Sequence, residues 1–101
     1  MIDRKDAYEI VLVALQEVFA QTGAPAPDNL GDDTVLVGVD PVLDSLGVVQ
    51  LIVEVEQRVE AQHGLALTLA NDKAMSARSS PFRTIGVLAD HVVTTAQEVA
   101  S

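Results

Sequence analysis

The sequence contains no cysteine. Disulfides, thiolate metal sites and a cysteine nucleophile are therefore excluded. Aromatic residues are nearly absent too: Tyr8, Phe19 and Phe82 are the only three. The core has to be built from Val, Leu, Ile and Ala, and there is no aromatic platform on which single-stranded nucleic acid would stack. Positive charge is scarce, with six bases against fifteen acids and a net charge of −9. Phosphate backbones repel such a surface, so no nucleic-acid partner is expected. Basic protein surfaces are its natural complement, although the same charge also serves simple solubility. No long hydrophobic run is present. The stretch around residues 48–53 is interrupted by Gln50 and, like every other apolar run in the chain, is far too short to span a bilayer. Met1 is followed by Asp3-Arg4-Lys5-Asp6 rather than by an apolar segment. No signal peptide is read there, and a cytoplasmic location without a membrane partner is the expectation.

What is present is a chain rich in aliphatic residues. Apolar residues make up 49% of 101 positions, enough to fold, and the length suits one domain, 1–101. Residues 3–21 predict a helix, because Tyr8, Val11, Leu12, Leu15, Val18 and Phe19 recur at three- and four-residue steps. Gly23, Pro25 and Pro27 end it. A long connection follows over 22–43, punctuated by Gly31, Gly38 and Pro41, with Val35, Leu36 and Val37 available to pin it to the core. A second helix is predicted over 45–62, with Asp44 as N-cap and Gly64 as its stop. In it Leu46, Val49, Ile52 or Val53, Glu56 and Val59 stand at helical spacing, and Glu54, Glu56 and Glu60 line an exposed side. A short helix is read over 71–78, capped by Asn71, and a last one from the cap Thr84 to about residue 98. The alternation of Leu65, Leu67 and Leu69 is too short for a sheet. The expected fold is all-α: a four-helix bundle of three longer helices and one short helix, with a long first loop.

The most informative stretch is Asp44-Ser45-Leu46-Gly47, set between the long loop and the second helix. Ser45 would occupy the first turn, where unpaired N–H groups and the positive end of the helix dipole stabilise a phosphodiester. It would also be exposed to a modifying enzyme. Ordinary capping explains an Asp-Ser pair equally well, and the triplet Asp-Ser-Leu arises by chance in roughly a few per cent of chains of this length. The weight comes from its context. Asp33-Thr34-Val35-Leu36, Val42-Leu43-Asp44-Ser45-Leu46-Gly47-Val48-Val49-Gln50-Leu51, Ser80-Pro81-Phe82-Arg83-Thr84-Ile85 and Leu88-Ala89-Asp90-His91-Val92 follow one another in an order that closely resembles the acyl carrier protein family, with its peptidyl and aminoacyl carriers.

The resemblance implies a non-catalytic carrier. Ser45 would receive a 4′-phosphopantetheine arm from coenzyme A through a phosphopantetheinyl transferase, and Asp44 would help hold the metal during that transfer. With no cysteine in the chain, the thiol that carries a thioester has to come from such an arm. An acyl- or aminoacyl-activating ligase would load it and a downstream transferase or synthase would unload it, the carrier itself being a monomer. Leu46 would be the leucine that partners grip. The implied docking face runs from Leu46 to about Gln57, with Gln50, Val53, Glu54 and Glu56, and continues onto the short helix. Gly47 and Gln50 stand where fatty-acid carriers are often acidic, and the segment 65–83 is longer than theirs. Both departures suit a standalone carrier for a specialised pathway or an aminoacyl cargo.

Other residues carry less. His63 and His91 have no acid or cysteine at ligand spacing, and Ser45 lacks the Gly-x-Ser-x-Gly setting of a hydrolase. The competing reading is a small acidic helical adaptor without a prosthetic group, in which Asp44-Ser45 is only a helix cap.

Overall fold

The structure is a computed structural model that describes residues 2–23, 29–37, 42–69 and 82–100, apart from the side chains of Ser45 and Ala100. Its described part is all-helical, with helices α1 (Arg4–Thr22), α2 (Ser45–His63) and α3 (Ile85–Ala100). These correspond to the three longer helices expected, with ends within two residues of those predicted. The short helix read over 71–78 lies outside the described residues. Among them there is no strand, only an isolated antiparallel bridge between Val35 and Thr84. No described helix is long and apolar enough to cross a membrane.

Each helix end has a local cause. The Asp3 carboxylate accepts from Asp6 N–H at 2.8 Å, capping α1. Gly23 and Gly64 end α1 and α2 in the left-handed conformation, with φ of 76° and 68°, which a side chain would strain. Their N–H groups return to the carbonyls of Phe19 and Glu60, both at 2.9 Å.

α1 is the hub of the fold. It buries Ala7, Ile10, Val11, Ala14, Leu15, Val18 and Phe19, and α2 and α3 each pack against it rather than against each other. Tyr8 and Leu12, which the sequence places on the same apolar face, are only partly buried at its edge. From α2 come Leu51, Ile52, Val55 and Val59, and from α3 come Ile85, Leu88, Ala89, Val92 and Ala96. Leu46 and Val53 point outward, as the docking face read in the sequence requires, and Val49 stands outward with them.

The first connection closes over the start of α3. Ile85 N–H donates to Thr34 C=O at 3.1 Å and Gly86 N–H to Asp32 C=O at 3.0 Å. Val87 N–H donates to Thr84 Oγ1 at 3.1 Å. The first three donors of α3, which a helix cannot satisfy itself, thus all have acceptors. A Cβ on Gly86 would lie 2.9 Å from Asp32 Oδ1, 3.0 Å from its Cβ and 3.1 Å from its carbonyl oxygen, so a larger residue would push the connection back by a few tenths of an ångström. Leu36, 1% exposed, anchors the connection in the core, whereas Val37 stays 39% exposed. Arg4 ties the layers together from outside. Its guanidinium donates to Asp32 and to Asp90, each at 2.7 Å. The hydrogen bond to Asp32, followed by that to Asp90, raises the Arg4 pKa, against the opposing effect of burial.

Candidate functional site

The start of α2 brings Asp44, Ser45 and Leu46 together. Asp44 has extended backbone and is the N-cap, so Ser45 is the first helical residue. The Asp44 carboxylate accepts from Gly47 N–H at 2.7 Å through Oδ1, and its carbonyl accepts from Val48 N–H at 3.0 Å. Among the described residues no acceptor reaches Leu46 N–H. The α3 N-terminus is closed by loop carbonyls, but this end of α2 retains an unspent donor beside the helix dipole. Such a place favours an anion. The Ser45 side chain, expected to be exposed, lies outside the described part of the structure.

Gly47 is buried, and a Cβ there would meet Leu43 Cβ and Cδ2 at 3.2 Å and Asp44 Oδ1 at 3.3 Å. Leu43 and Asp44, the two residues before the helix, fold back over Gly47, so the small size of Gly47 serves the turn that presents Asp44 and Ser45.

Leu46 is 65% exposed, Val49 56% and Val53 44%. At spacings of three and four they form one apolar stripe on the solvent side of α2. The sequence marks Val49 by its helical spacing alone; its place between Leu46 and Val53, one turn from each, is the signal that it belongs to the stripe. We expect Leu46→Ala to change stability by less than about 0.5 kcal/mol, as exposed substitutions do. Leu51→Ala, in the core, should cost roughly 2–5 kcal/mol. Parallel thermal melts decide between them, and a large loss in Leu46→Ala would place Leu46 in the core.

The polar residues of this face have other commitments. Glu54 pairs with Arg58 at 2.9 Å, one turn on, with both side chains largely covered. Glu56 Oε2 accepts from Leu69 N–H at 2.8 Å. Gln50 is half-buried, and its Oε1 is buried with no partner among the described residues. Of the three acids placed on an exposed side, only Glu60 is fully exposed.

Glu56 belongs to a clamp on the segment after α2. Leu67 and Leu69 are buried there without forming a strand. His91 Nε2 lies 2.8 Å from Leu69 C=O. A carbonyl only accepts, so His91 donates from Nε2. Its ring also meets Phe82 edge-on, with centroids 5.7 Å apart. Leu69 is thus held through its N–H by α2 and through its C=O by α3, which gives His91 a structural role. Glu56→Ala strands the Leu69 N–H in a partly buried position, and we expect a loss of about 1–3 kcal/mol. Glu54→Ala removes only a one-turn ion pair and should cost under about 1 kcal/mol. Urea unfolding of the two variants side by side tests the difference.

Comparison of the chain with protein-family models, with curated proteins and with solved structures finds no match.

Proposed function

We propose that this chain is a carrier protein that holds acyl or aminoacyl groups as thioesters on a 4′-phosphopantetheine arm joined to Ser45, and passes them between partner enzymes. In this reading α1, α2 and α3 are the three longer helices of an acyl-carrier bundle. The observation that carries it is the order Asp44, Ser45, Leu46 across the start of α2: an acid as N-cap, a serine as first helical residue and a leucine 65% exposed beside it.

The chemistry follows from that arrangement. The Ser45 hydroxyl oxygen would attack the phosphorus of coenzyme A that bears pantetheine. The P–O bond within the pyrophosphate breaks, adenosine 3′,5′-bisphosphate leaves, and the hydroxyl proton passes to the transferase. The phosphodiester formed there would lie at the positive end of α2, near the Leu46 N–H. The cap occupies only Oδ1 of the exposed Asp44, which suits a carboxylate that also helps hold a metal during transfer. Once attached, the arm supplies the one thiol in a chain without cysteine, so a thioester would have a single place to form. The stripe Leu46, Val49 and Val53 would give transferase, ligase and downstream enzyme an apolar contact, and its position at the base of the arm suits all three. Loading and unloading would be the partners' work, with no catalysis by this chain.

The adaptor reading has one observation in its favour: the Asp44–Gly47 cap accounts for Asp44 on structural grounds alone. Intact mass separates the two. With coenzyme A, magnesium and a broad-specificity transferase, a carrier gains about 340 Da, the mass of the arm. An unchanged mass overturns the carrier reading and leaves the adaptor.

A further inference from the structure

A second surface lies at the other end of α2. Between the first half of α1 and the last turn of α2 is an open groove of about 340 Å³, lined by Asp6, Glu9, Ile10, Val13, Gln62 and His63. Its volume falls at the lower end of the range of ligand clefts, about 300–1,000 Å³. Ile10 is buried and Val13 is 46% exposed, so the groove has an apolar wall open to solvent. Asp6 and Glu9 stand one turn apart on α1 beside that wall. Neither has a cation: the ion pairs among the described residues are Arg4–Asp32, Arg4–Asp90 and Arg58–Glu54. Lys5, one turn before Glu9, forms no ion pair with it.

We propose that this groove docks a basic segment of a partner protein, with an aliphatic stem of lysine or arginine against Val13 and its cationic head between Asp6 and Glu9. Long basic side chains combine these two properties, an apolar stem and a charged tip. The net charge of −9 argues against the competing occupants. A second copy of this chain would be repelled, and two of its six bases, Arg4 and Arg58, are already paired. Anionic lipid and nucleic acid would be repelled likewise. No three His, Cys, Asp or Glu side chains among the described residues are placed to hold a metal ion. Ser45 and His63 begin and end α2, and their separation of 18 residues corresponds to roughly 27 Å along the axis. A short segment seated in the groove would therefore leave Ser45 free, and Val53, the near end of the stripe, stands ten residues from His63, roughly 15 Å along the axis. The inference does not depend on what Ser45 carries.

The test is a titration of the ¹⁵N-labelled full chain at low salt with the acetylated hexapeptide Leu-Lys-Leu-Lys-Leu-Lys, followed by amide chemical shifts. Saturable shifts should gather at residues 6–13 and at 62 and 63. Glu9→Lys should weaken binding at least tenfold, and Asp33→Lys, an exposed acid elsewhere with the same change of charge, less than threefold. Val13→Ser, which leaves the charge untouched, should also weaken it several-fold. Equal weakening by Glu9→Lys and Asp33→Lys would mean attraction to overall charge and would overturn the proposal. So would shifts centred on Leu46–Val53, absence of saturable shifts, or the same shifts arising on concentration without peptide. The mass gain on Ser45, measured on the same samples, reads the carrier function separately.

Discussion

Ser45→Ala is expected to keep its unmodified mass under transferase conditions in which the parent chain gains about 340 Da. Every other hydroxyl remains, including those of Ser76, Ser79, Ser80 and Ser101, so the variant asks whether position 45 is the acceptor. The fold should hold. Asp44, not Ser45, supplies the cap to Gly47 N–H, and serine to alanine at the first helical position is a small change in helix propensity. Melting should move by no more than about 0.5 kcal/mol of stability. Retained modification in Ser45→Ala would remove the assignment. Loss of helical circular dichroism would instead make Ser45 a structural residue, and the missing mass gain would then say nothing about attachment.

Leu36→Ala should produce a large loss of stability from a position outside the helices. Leu36 is 1% exposed and is the buried anchor among the three residues Val35, Leu36 and Val37. Its truncation removes apolar contact and leaves a cavity, at a cost of roughly 2–5 kcal/mol. For a domain of this size that lowers the melting temperature by at least about 8 °C. Val37→Ala is the control, since Val37 is 39% exposed and should change little. Leu36 N–H also donates to Arg83 C=O at 2.7 Å, so the same residue holds the connection to the approach of α3. Equal melting of Leu36→Ala and parent would show that the connection is not pinned by this side chain.

The helices were legible because their signals are local. Asp44, Gly64 and Thr84 act where they stand, within three or four residues of the groups they bond. The core side of α2 was not legible in the same way. From Leu46 to Val59 the helix is apolar on more than one side, so periodicity alone admits several faces. Packing on α1 selects Leu51, Ile52, Val55 and Val59 and leaves Leu46, Val49 and Val53 outside. Distant partners were equally hidden. Glu56 reads as a surface acid until Leu69, thirteen residues on, is seen to donate to it. Arg4 reads as one of a few scattered bases until Asp32 and Asp90 are found around it. For the candidate site, the serine and its cap were readable from sequence and the outward turn of Leu46 was anticipated. The groove at Asp6 and Glu9 was not readable, because it exists only where α1 and α2 lie side by side.

The central position of α1 also sets a timetable. The hub is made first and one of its two helical partners last, and the Arg4–Asp90 bond joins residues 86 apart. A ribosome adding about 5–20 residues per second needs roughly 2–8 s to pass from the end of α2 to the end of α3. Through that interval the side of α1 that receives α3 lacks it, and the carbonyls of Asp32 and Thr34 await the amides of Gly86 and Ile85. Contacts so remote along the chain close slowly compared with local ones. The nascent protein therefore passes through a stage in which α1 is covered by α2 but not yet by α3.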